Sequence, residues 1–160
     1  MKSLIVYSSQ TENTKKLADL IFDTIEGEKE IFAVEEAPSP EGYDFIALGF
    51  WLMGGKPDPK AGKYLETLEK GQSLFLFATH GAARGSDHVK NAVDTAVSLT
   101  DNADVKGVFT CQGRVNPKVL EKVKQKPEPP VWIGDADEAV SHPDGDDLDR
   151  LQEIIKGLNL

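Results

Sequence analysis

The sequence predicts a doubly wound α/β fold with a five-stranded parallel sheet in the strand order 2-1-3-4-5. Five short apolar runs alternate along the chain with longer segments of helical periodicity. The runs are apolar throughout instead of alternating with polar residues, which is typical of strands covered by helices on both faces. The length of 160 residues fits a single domain, residues 1–160.

The predicted elements follow one another in a regular order. The predicted strands cover residues 4–7, 31–34, 44–50, 74–79 and 105–111. The predicted helices cover residues 13–25, 60–68, 86–99 and 117–125, and a final helix contains Leu148, Leu151, Ile154, Ile155 and Leu158. Ser86 and Asp87 are expected to cap the helix that they begin. Residues 126–144 are rich in turn formers and are predicted to be a surface excursion, in which Trp132 either covers the site or anchors the segment in the core.

Charge and cysteine content exclude several classes of protein. The chain has 18 basic and 27 acidic residues and a net charge of −9, which argues against a nucleic-acid surface. This charge suits a protein that docks on a basic surface of a partner, and equally one that is kept in solution by its charge. Its one cysteine, Cys111, excludes internal disulfides and cysteine metal clusters, and is predicted to be a small core residue.

The distribution of apolar residues bears on location. No apolar run approaches the ~20 residues of a membrane span, so no membrane insertion is expected. The first apolar stretch is too short for a signal peptide, and we therefore expect a cytoplasmic protein. The sequence carries no signal for an oligomeric state, and no metal-ligand pattern stands out in it.

Ligands of open parallel sheets bind beyond the carboxyl ends of the strands. In this chain the corresponding loops are residues 8–14, 50–60 and 79–87, and residues 111–114 can approach the same edge. The first loop offers several hydroxyl and amide donors at the start of a helix, which makes an anion site without a lysine or arginine in the loop. The alternative is a capping box in which Ser9 and Glu12 satisfy the helix end.

The stretch Ile5-Val6-Tyr7-Ser8-Ser9-Gln10-Thr11-Glu12-Asn13-Thr14 resembles the signature of flavodoxins, in which a strand leads into S/T-x-T-G-x-T. The resemblance extends over the whole chain in element order, and it implies an FMN cofactor. It implies that the residues around the FMN phosphate are Ser9, Gln10, Thr11, Glu12, Asn13 and Thr14. Glu12 stands where flavodoxins usually have glycine, so its carboxylate should repel the phosphate unless it turns to solvent or folds back onto the backbone of Ser9.

The same resemblance assigns the flavin ring to the second and third loops. In the second loop the residues expected to line the ring are Phe50, Trp51, Leu52, Met53, Gly54 and Gly55, with Gly54 at flavin N5. In the third loop they are Thr79, His80, Gly81 and Ala82. Many flavodoxins have a tyrosine in the third loop, and this chain has none. His80 is expected to contact the flavin, to change charge near about pH 6.5, or simply to be solvated.

The function predicted from these residues is that of an FMN-binding electron carrier that shuttles electrons between redox proteins. No catalytic residue is assigned. The alternatives are a small FMN-dependent NAD(P)H:quinone-type oxidoreductase and a flavodoxin-like domain with weak or lost FMN binding. Segments 49–51, 111–113 and 142–144 also resemble a subgroup of short flavodoxin-like proteins, some of which are associated with reductases acting on bilin-type substrates.

Overall fold

A computed structural model describes residues 1–100 and 103–160, and its centre is a parallel β-sheet. The strands are β1 (Lys2–Tyr7), β2 (Glu28–Ala33), β3 (Phe45–Met53), β4 (Lys56–Pro57), β5 (Ser73–His80) and β6 (Asp104–Gln112). The five long strands pair in parallel in the order β2-β1-β3-β5-β6. Because β4 is only a short addition to β3, this is the predicted doubly wound order, and the predicted fold class is confirmed.

Helices connect the strands and cover both faces of the sheet. They are α1 (Asn13–Thr24), α2 (Pro59–Leu65), α3 (Asp87–Ser98), α4 (Pro117–Lys124) and α5 (Gly145–Gly157), with two 3-10 helices at Val131–Asp135 and Glu138–Ser141. The prediction that the second helix continues to residue 68 is wrong. The chain tightens after Leu65, where the Thr67 amide donates to the Tyr64 carbonyl three residues back. None of the helices within the described residues is long and apolar enough to cross a membrane.

The sheet separates two hydrophobic cores, because successive strand residues point to opposite faces. On one face Leu4, Leu48 and Leu76 pack with α2 and α3. On the other face Ile5 and Phe77 pack with α1 and α5. Cys111 is wholly buried in this second core, as predicted.

Strand β3 is longer than expected and ends in a hairpin. The prediction that it ends at residue 50 is wrong, because the strand runs on to Met53 and returns as β4. Gly54 and Gly55 connect the two strands with φ angles of 60° and 75°. Two successive residues with positive φ form the tight turn whose twist matches an antiparallel pair, and glycine adopts it without strain.

Residues 126–144 pack back onto the domain. Ala136 and Ala139 of this stretch are buried, and the two 3-10 helices lie between α4 and α5. The segment therefore belongs to the body of the protein and is more than a surface excursion. At the start of α3, Ser86 occupies the expected cap position, but its hydroxyl makes no capping bond.

Candidate ligand-binding site

The carboxyl ends of β1, β3, β5 and β6 surround a cleft of about 280 Å³. Small-molecule sites typically have volumes of roughly 300–1,000 Å³, so the cleft lies just below that range. Its position follows the rule for open parallel sheets. The predicted site residues that line the cleft are Gln10, Thr11, Asn13, Thr14, Trp51, Leu52, Met53, Gly54, Gly55, Thr79, His80, Gly81 and Ala82.

Three predicted site residues do not line the cleft: Ser9, Glu12 and Phe50. Phe50 is wholly buried and points into the core beneath α2 and α3, so its expected place along the ring is wrong. Its neighbour Trp51 takes the opposite direction, as strand alternation requires. Glu12 is exposed, and Ser9 is half-buried beside the cleft.

The start of α1 is built without the expected capping box. Glu12 is the residue before the helix, its φ angle is 66°, and its side chain makes no capping bond. The expectation that Glu12 folds back onto Ser9 is therefore wrong. A φ of this sign places Glu12 in the left-handed region, which explains why related loops carry glycine at this point. The strained backbone turns the carboxylate towards solvent.

Unused hydrogen-bond donors collect in this first loop. The backbone N–H groups of residues 9–12 donate to no acceptor within the part of the chain that the structure describes. The buried hydroxyl of Ser9 also has no partner among the described residues. The first turn of α1 adds amides that have no partner within the helix, together with the positive end of the helix dipole. The loop is thus a concentration of neutral donors that its own carboxylate, Glu12, does not satisfy.

Two side chains hold this loop in place. The Asn13 amide donates to the Thr11 hydroxyl at 2.8 Å and to the Arg114 carbonyl at 2.9 Å. The Thr14 and Thr79 hydroxyls are hydrogen bonded to each other at 2.9 Å. These bonds connect the loop after β1 to the residues after β6 and to the end of β5. They therefore hold three chain segments together at the cleft.

The hairpin after β3 forms an apolar wall of the cleft. Trp51 and Leu52 are half-buried, and Met53 is 54% exposed. A Cβ atom added to Gly54 would meet no atom within 4 Å, so its backbone is open to whatever fills the cleft. The wall combines a flat aromatic surface with an accessible main chain.

Asp58 connects the hairpin to the first loop. Its carboxylate accepts hydrogen bonds from the Ser8 hydroxyl at 2.6 Å and from the backbone N–H groups of Trp51 and Ala61, both at 3.3 Å. The side chain is almost wholly buried, and this burial raises its pKa while the three donors act in the opposite direction. Asp58 thereby caps α2 and at the same time fixes the backbone position of Trp51.

His80 is a buried neutral histidine. It is 5% exposed, and desolvation lowers its pKa to about 4, so the expectations of a solvated ring and of a charge change near pH 6.5 are wrong. Its Nδ1 lies 2.7 Å from the Ala82 carbonyl oxygen, which can only accept, so Nδ1 carries the proton. Nε2 is then an acceptor, and it has no partner among the described residues.

Seven cleft residues lie outside the predicted set: His88, Gly113, Arg114, Val115, Asn116, Val119 and Trp132. Four of them follow β6 directly: Gly113 and Arg114 belong to segment 111–114, which is expected to approach this edge, and extending the carboxyl-edge rule by two residues would have found Val115 and Asn116. His88 is the second residue of α3, and its ring lies 3.4 Å from the position of a Cβ atom added at Gly55. Val119 lies in the predicted helix after β6 and Trp132 in the irregular segment after it, both beyond the reach of a rule that considers only strand ends.

One group of titratable side chains lies beside α5 and serves the fold. His142, Asp144 and Asp147 bring potential metal-ligand atoms within 4.8 Å of one another. Asp144 and Asp147 form a capping box, and Asp147 also lies 2.5 Å from His142 Nδ1. The hydrogen bond to Asp147 raises the pKa of His142. These atoms satisfy one another at the helix start, which accounts for the cluster.

A donor-rich helix start beside an aromatic cleft, at the carboxyl edge of a parallel sheet, defines a doubly wound α/β protein with a nucleotide-type ligand site. The chain belongs to the flavodoxin domain family, which matches its residues 4–156. The family resemblance drawn from the first loop is thereby confirmed.

Two relatives match nearly the whole chain. Both are called flavodoxin-like domain-containing protein BilS. The one from Clostridioides difficile (strain CD3) is 33% identical, covering 99% of this chain and 96% of the relative. The one from Clostridium symbiosum (strain WAL-14163) is 27% identical, and the match covers 97% of this chain and 94% of the relative.

Solved structures share the fold at low identity. Flavodoxins from Streptococcus pneumonia TIGR4 and Bacillus cereus (oxidised flavodoxin 2) each superpose with a TM-score of 0.67, at 14% and 18% identity, covering 99% of this chain and 98% of theirs. A flavoprotein from Lactobacillus acidophilus NCFM, crystallised in complex with FMN, has a TM-score of 0.55 at 20% identity, covering 68% of this chain and 92% of its own.

Proposed function

We propose that this chain binds FMN in the cleft and serves as an electron carrier between redox proteins. The observation that carries the proposal is the set of unused donors at the start of α1, next to an apolar aromatic cleft. Family membership supports the proposal, as does the FMN bound to the structurally similar Lactobacillus acidophilus flavoprotein.

The first loop fits the phosphate end of FMN. A phosphate monoester dianion needs several donors at once, and the N–H groups of residues 9–12 and the Ser9 hydroxyl are unsatisfied within the described residues. The dipole of α1 adds favourable charge at the same place. The hydroxyls of Thr11 and Thr14 lie in the cleft wall beside them. In this proposal the loop anchors the phosphate through neutral donors, with Glu12 directed away from it.

The hairpin and third loop fit the ring end. Bound FMN supplies one- and two-electron redox chemistry, and the protein sets its position and electrostatic surroundings. Trp51 and Met53 offer flat apolar surface, while the open main chain of Gly54 can exchange hydrogen bonds with a ring nitrogen. His80 presents a neutral acceptor at Nε2 and adds no charge near neutral pH. These residues bind and orient the ring and exclude water from one side of it.

The charge of the chain supports redox partners with basic docking surfaces. A net charge of −9 attracts a positively charged protein over distances of about one Debye length, roughly 8 Å at physiological salt. The cleft also reaches the surface at the exposed Met53 side chain, where electrons can pass to or from a bound partner protein. We also propose a cytoplasmic location, since the single cysteine is buried and burial raises its pKa, which suits a chain that forms no disulfide.

The test begins with the cofactor. Purified apoprotein is mixed with FMN, desalted and examined by visible absorbance. Flavin bands that elute with the protein at one flavin per chain are the expected result, and complete loss of the bands on desalting, with no saturable titration, contradicts the proposal. Riboflavin, which lacks the phosphate, is the matched ligand. It should bind at least tenfold more weakly if the first loop holds the phosphate.

A second measurement separates a carrier from an enzyme. The reduced holoprotein is mixed with cytochrome c, a basic redox protein, at increasing salt. A carrier with the proposed surface should reduce cytochrome c rapidly at low salt, and the rate should fall as salt rises. Steady oxidation of NAD(P)H with a quinone by the holoprotein alone would instead support the quinone-type oxidoreductase.

A further inference from the structure

The segment between α4 and α5 is attached to the third loop of the cleft. The carboxylate of Asp135 accepts a hydrogen bond from the Ala83 backbone N–H at 3.0 Å. The Gln112 side chain donates to the carbonyls of Asp135 and Gly81, both at 3.3 Å. These bonds fix the 3-10 helix Val131–Asp135 against the ends of β5 and β6.

This attachment holds the Trp132 ring against the main chain of the third loop. A Cβ atom added at Gly81 would lie 3.4 and 3.5 Å from two carbons of the Trp132 six-membered ring, and 2.5 Å from the Val115 side chain. The approach of Val115 requires glycine at position 81, whereas the Trp132 ring lies at an ordinary van der Waals distance from that Cβ position. Trp132 is half-buried and lines the cleft.

Trp132 does not serve as the anchor of its own segment. Ala136 and Ala139 are the wholly buried residues of this stretch, while the neighbouring Val131 is 96% exposed. The hydrogen bonds of Asp135 and the burial of the two alanines hold the segment independently of the Trp132 ring, which packs at Gly81 and keeps part of its surface in the cleft. A large ring half exposed in a cleft is available to a flat ligand.

The two tryptophans of the chain line the cleft from different sides. Trp51 lies at the end of β3, and Trp132 packs at Gly81 and Val115, which follow β5 and β6. Besides Thr79 and His80, the third loop contributes only Gly81 and the small Ala82 to the cleft lining. The aromatic surface on the β5–β6 side therefore comes from a segment remote in sequence.

We propose that Trp132 forms the second aromatic face of the cofactor site, in the role that no residue of the third loop can fill. This inference rests on the proposed function, because it requires FMN in the cleft. Trp51 then covers the ring from the β3 side and Trp132 from the β5–β6 side. The segment that carries Trp132 becomes part of the cofactor site, and it couples ring binding to the hydrogen bonds of Asp135.

The experiment uses the full chain and five variants: Trp51→Phe, Trp132→Phe, the double variant, Val131→Ala as the control from the same segment, and Trp132→Ala. Each is titrated with FMN, and the affinity and the fluorescence lifetime of the bound flavin are measured. A tryptophan in van der Waals contact quenches flavin emission by electron transfer, whereas a distant one does not. The readout therefore reports contact and requires no activity.

Three results are expected. The Trp51→Phe holoprotein should keep a short flavin lifetime because Trp132 still touches the ring, and the double variant should recover a long lifetime. The fifth variant, Trp132→Ala, should raise the FMN dissociation constant about tenfold, the usual scale for losing one stacking partner. Val131→Ala should match the unchanged chain in both measurements. Far-ultraviolet circular dichroism confirms that each variant is folded.

The outcomes separate this inference from the proposed function. If the unchanged chain binds FMN but Trp51→Phe alone restores the long lifetime, Trp132 does not touch the ring and the inference is overturned by itself. Unchanged affinity in folded Trp132→Ala has the same meaning. If the unchanged chain fails to bind FMN, both the proposed function and the inference are overturned.

Discussion

The Ser8 hydroxyl donates a 2.6 Å hydrogen bond to the buried carboxylate of Asp58, fifty positions away in the sequence. This bond ties the end of β1 to the hairpin that carries Trp51, whose own N–H donates to the same carboxylate. The proposed phosphate and ring ends of the site are therefore held together by one acidic side chain that does not itself line the cleft.

Replacing Asp58 should loosen both ends of the site. Asp58→Ala removes the acceptor of three donors and leaves the Ser8 hydroxyl buried without a partner, so we expect about 2–3 kcal/mol lower stability in urea unfolding. Asp58→Asn keeps one acceptor oxygen of similar shape and should cost about 1 kcal/mol. If both variants unfold at the urea concentration of the unchanged chain, the carboxylate is not the connection described.

Glu12 tests the strained start of α1. Because its φ is 66° and its side chain makes no cap, Glu12→Gly should raise the free energy of unfolding by about 1 kcal/mol. Glu12→Gln, the matched control, keeps the backbone strain and removes the charge, so its stability should stay close to that of the unchanged chain.

The Glu12→Gly and Glu12→Gln variants also separate backbone strain from charge repulsion in their effects on FMN binding. The Glu12 side chain is exposed and points away from the cleft, so Glu12→Gln should tighten FMN binding by about threefold or less at physiological salt. Tightening well beyond tenfold would mean that the carboxylate reaches the phosphate, contrary to the geometry of this loop.

Gly54 tests the turn of the hairpin. Gly54→Ala forces a side chain into positive φ and should cost about 1 kcal/mol of stability. Gly71→Ala is a matched control. Gly71 has a φ of 79° and open space around its Cβ position, and it precedes β5 at the amino ends of the strands, opposite the cleft. We expect similar losses in urea unfolding from both substitutions.

The two glycine variants should differ in redox behaviour. We propose, from the resemblance to flavodoxins, that the Gly54 peptide rotates towards flavin N5. Gly54→Ala should therefore change the separation between the two one-electron midpoint potentials of bound FMN, whereas Gly71→Ala should leave it as it is. If the two midpoint potentials are equally far apart in the unchanged chain and in both variants, Gly54 does not have that role.

His80 should make stability depend on pH. Its pKa in the folded protein is about 4, below the ordinary value of about 6.5, so the unfolded chain binds more protons between these values. Stability should consequently fall as the pH drops below 6.5, by about 2 kcal/mol between pH 7.5 and pH 5. In urea unfolding at the two pH values, His80→Asn should remove this component of the difference.

His142 provides a control of opposite sign. Its pKa is raised by Asp147, so its contribution to stability is fully present below the unfolded pKa and is lost as the pH rises through the folded pKa. His142→Asn should therefore lower stability mainly at pH values below about 6.5. A His142→Asn profile that changes only at alkaline pH would contradict the ion pair.

Much of the fold was predictable because local patterns carry it. Apolar runs such as residues 74–79 identify strands buried on both faces, and the spacing of Leu17 and Ile21 identifies α1. The carboxyl-edge rule then located the cleft. The prediction fails at β3, where the residues after residue 50 are predicted to form a loop, although the adjacent Gly54 and Gly55 favour a hairpin turn.

The sequence by itself determined the sheet, the helix faces and the loop that collects the donors, because each depends on residues close together in the chain. Only the tertiary structure decided that Glu12 adopts a left-handed backbone, that Asp58 joins two loops, and that Trp132 enters the cleft at Gly81. The contacts of Asp58 and Trp132 join residues far apart along the chain, and their energies arise from burial and close approach once the sheet has assembled. Local sequence patterns do not predict such long-range contacts, so the walls of the cleft can be identified only from the tertiary structure.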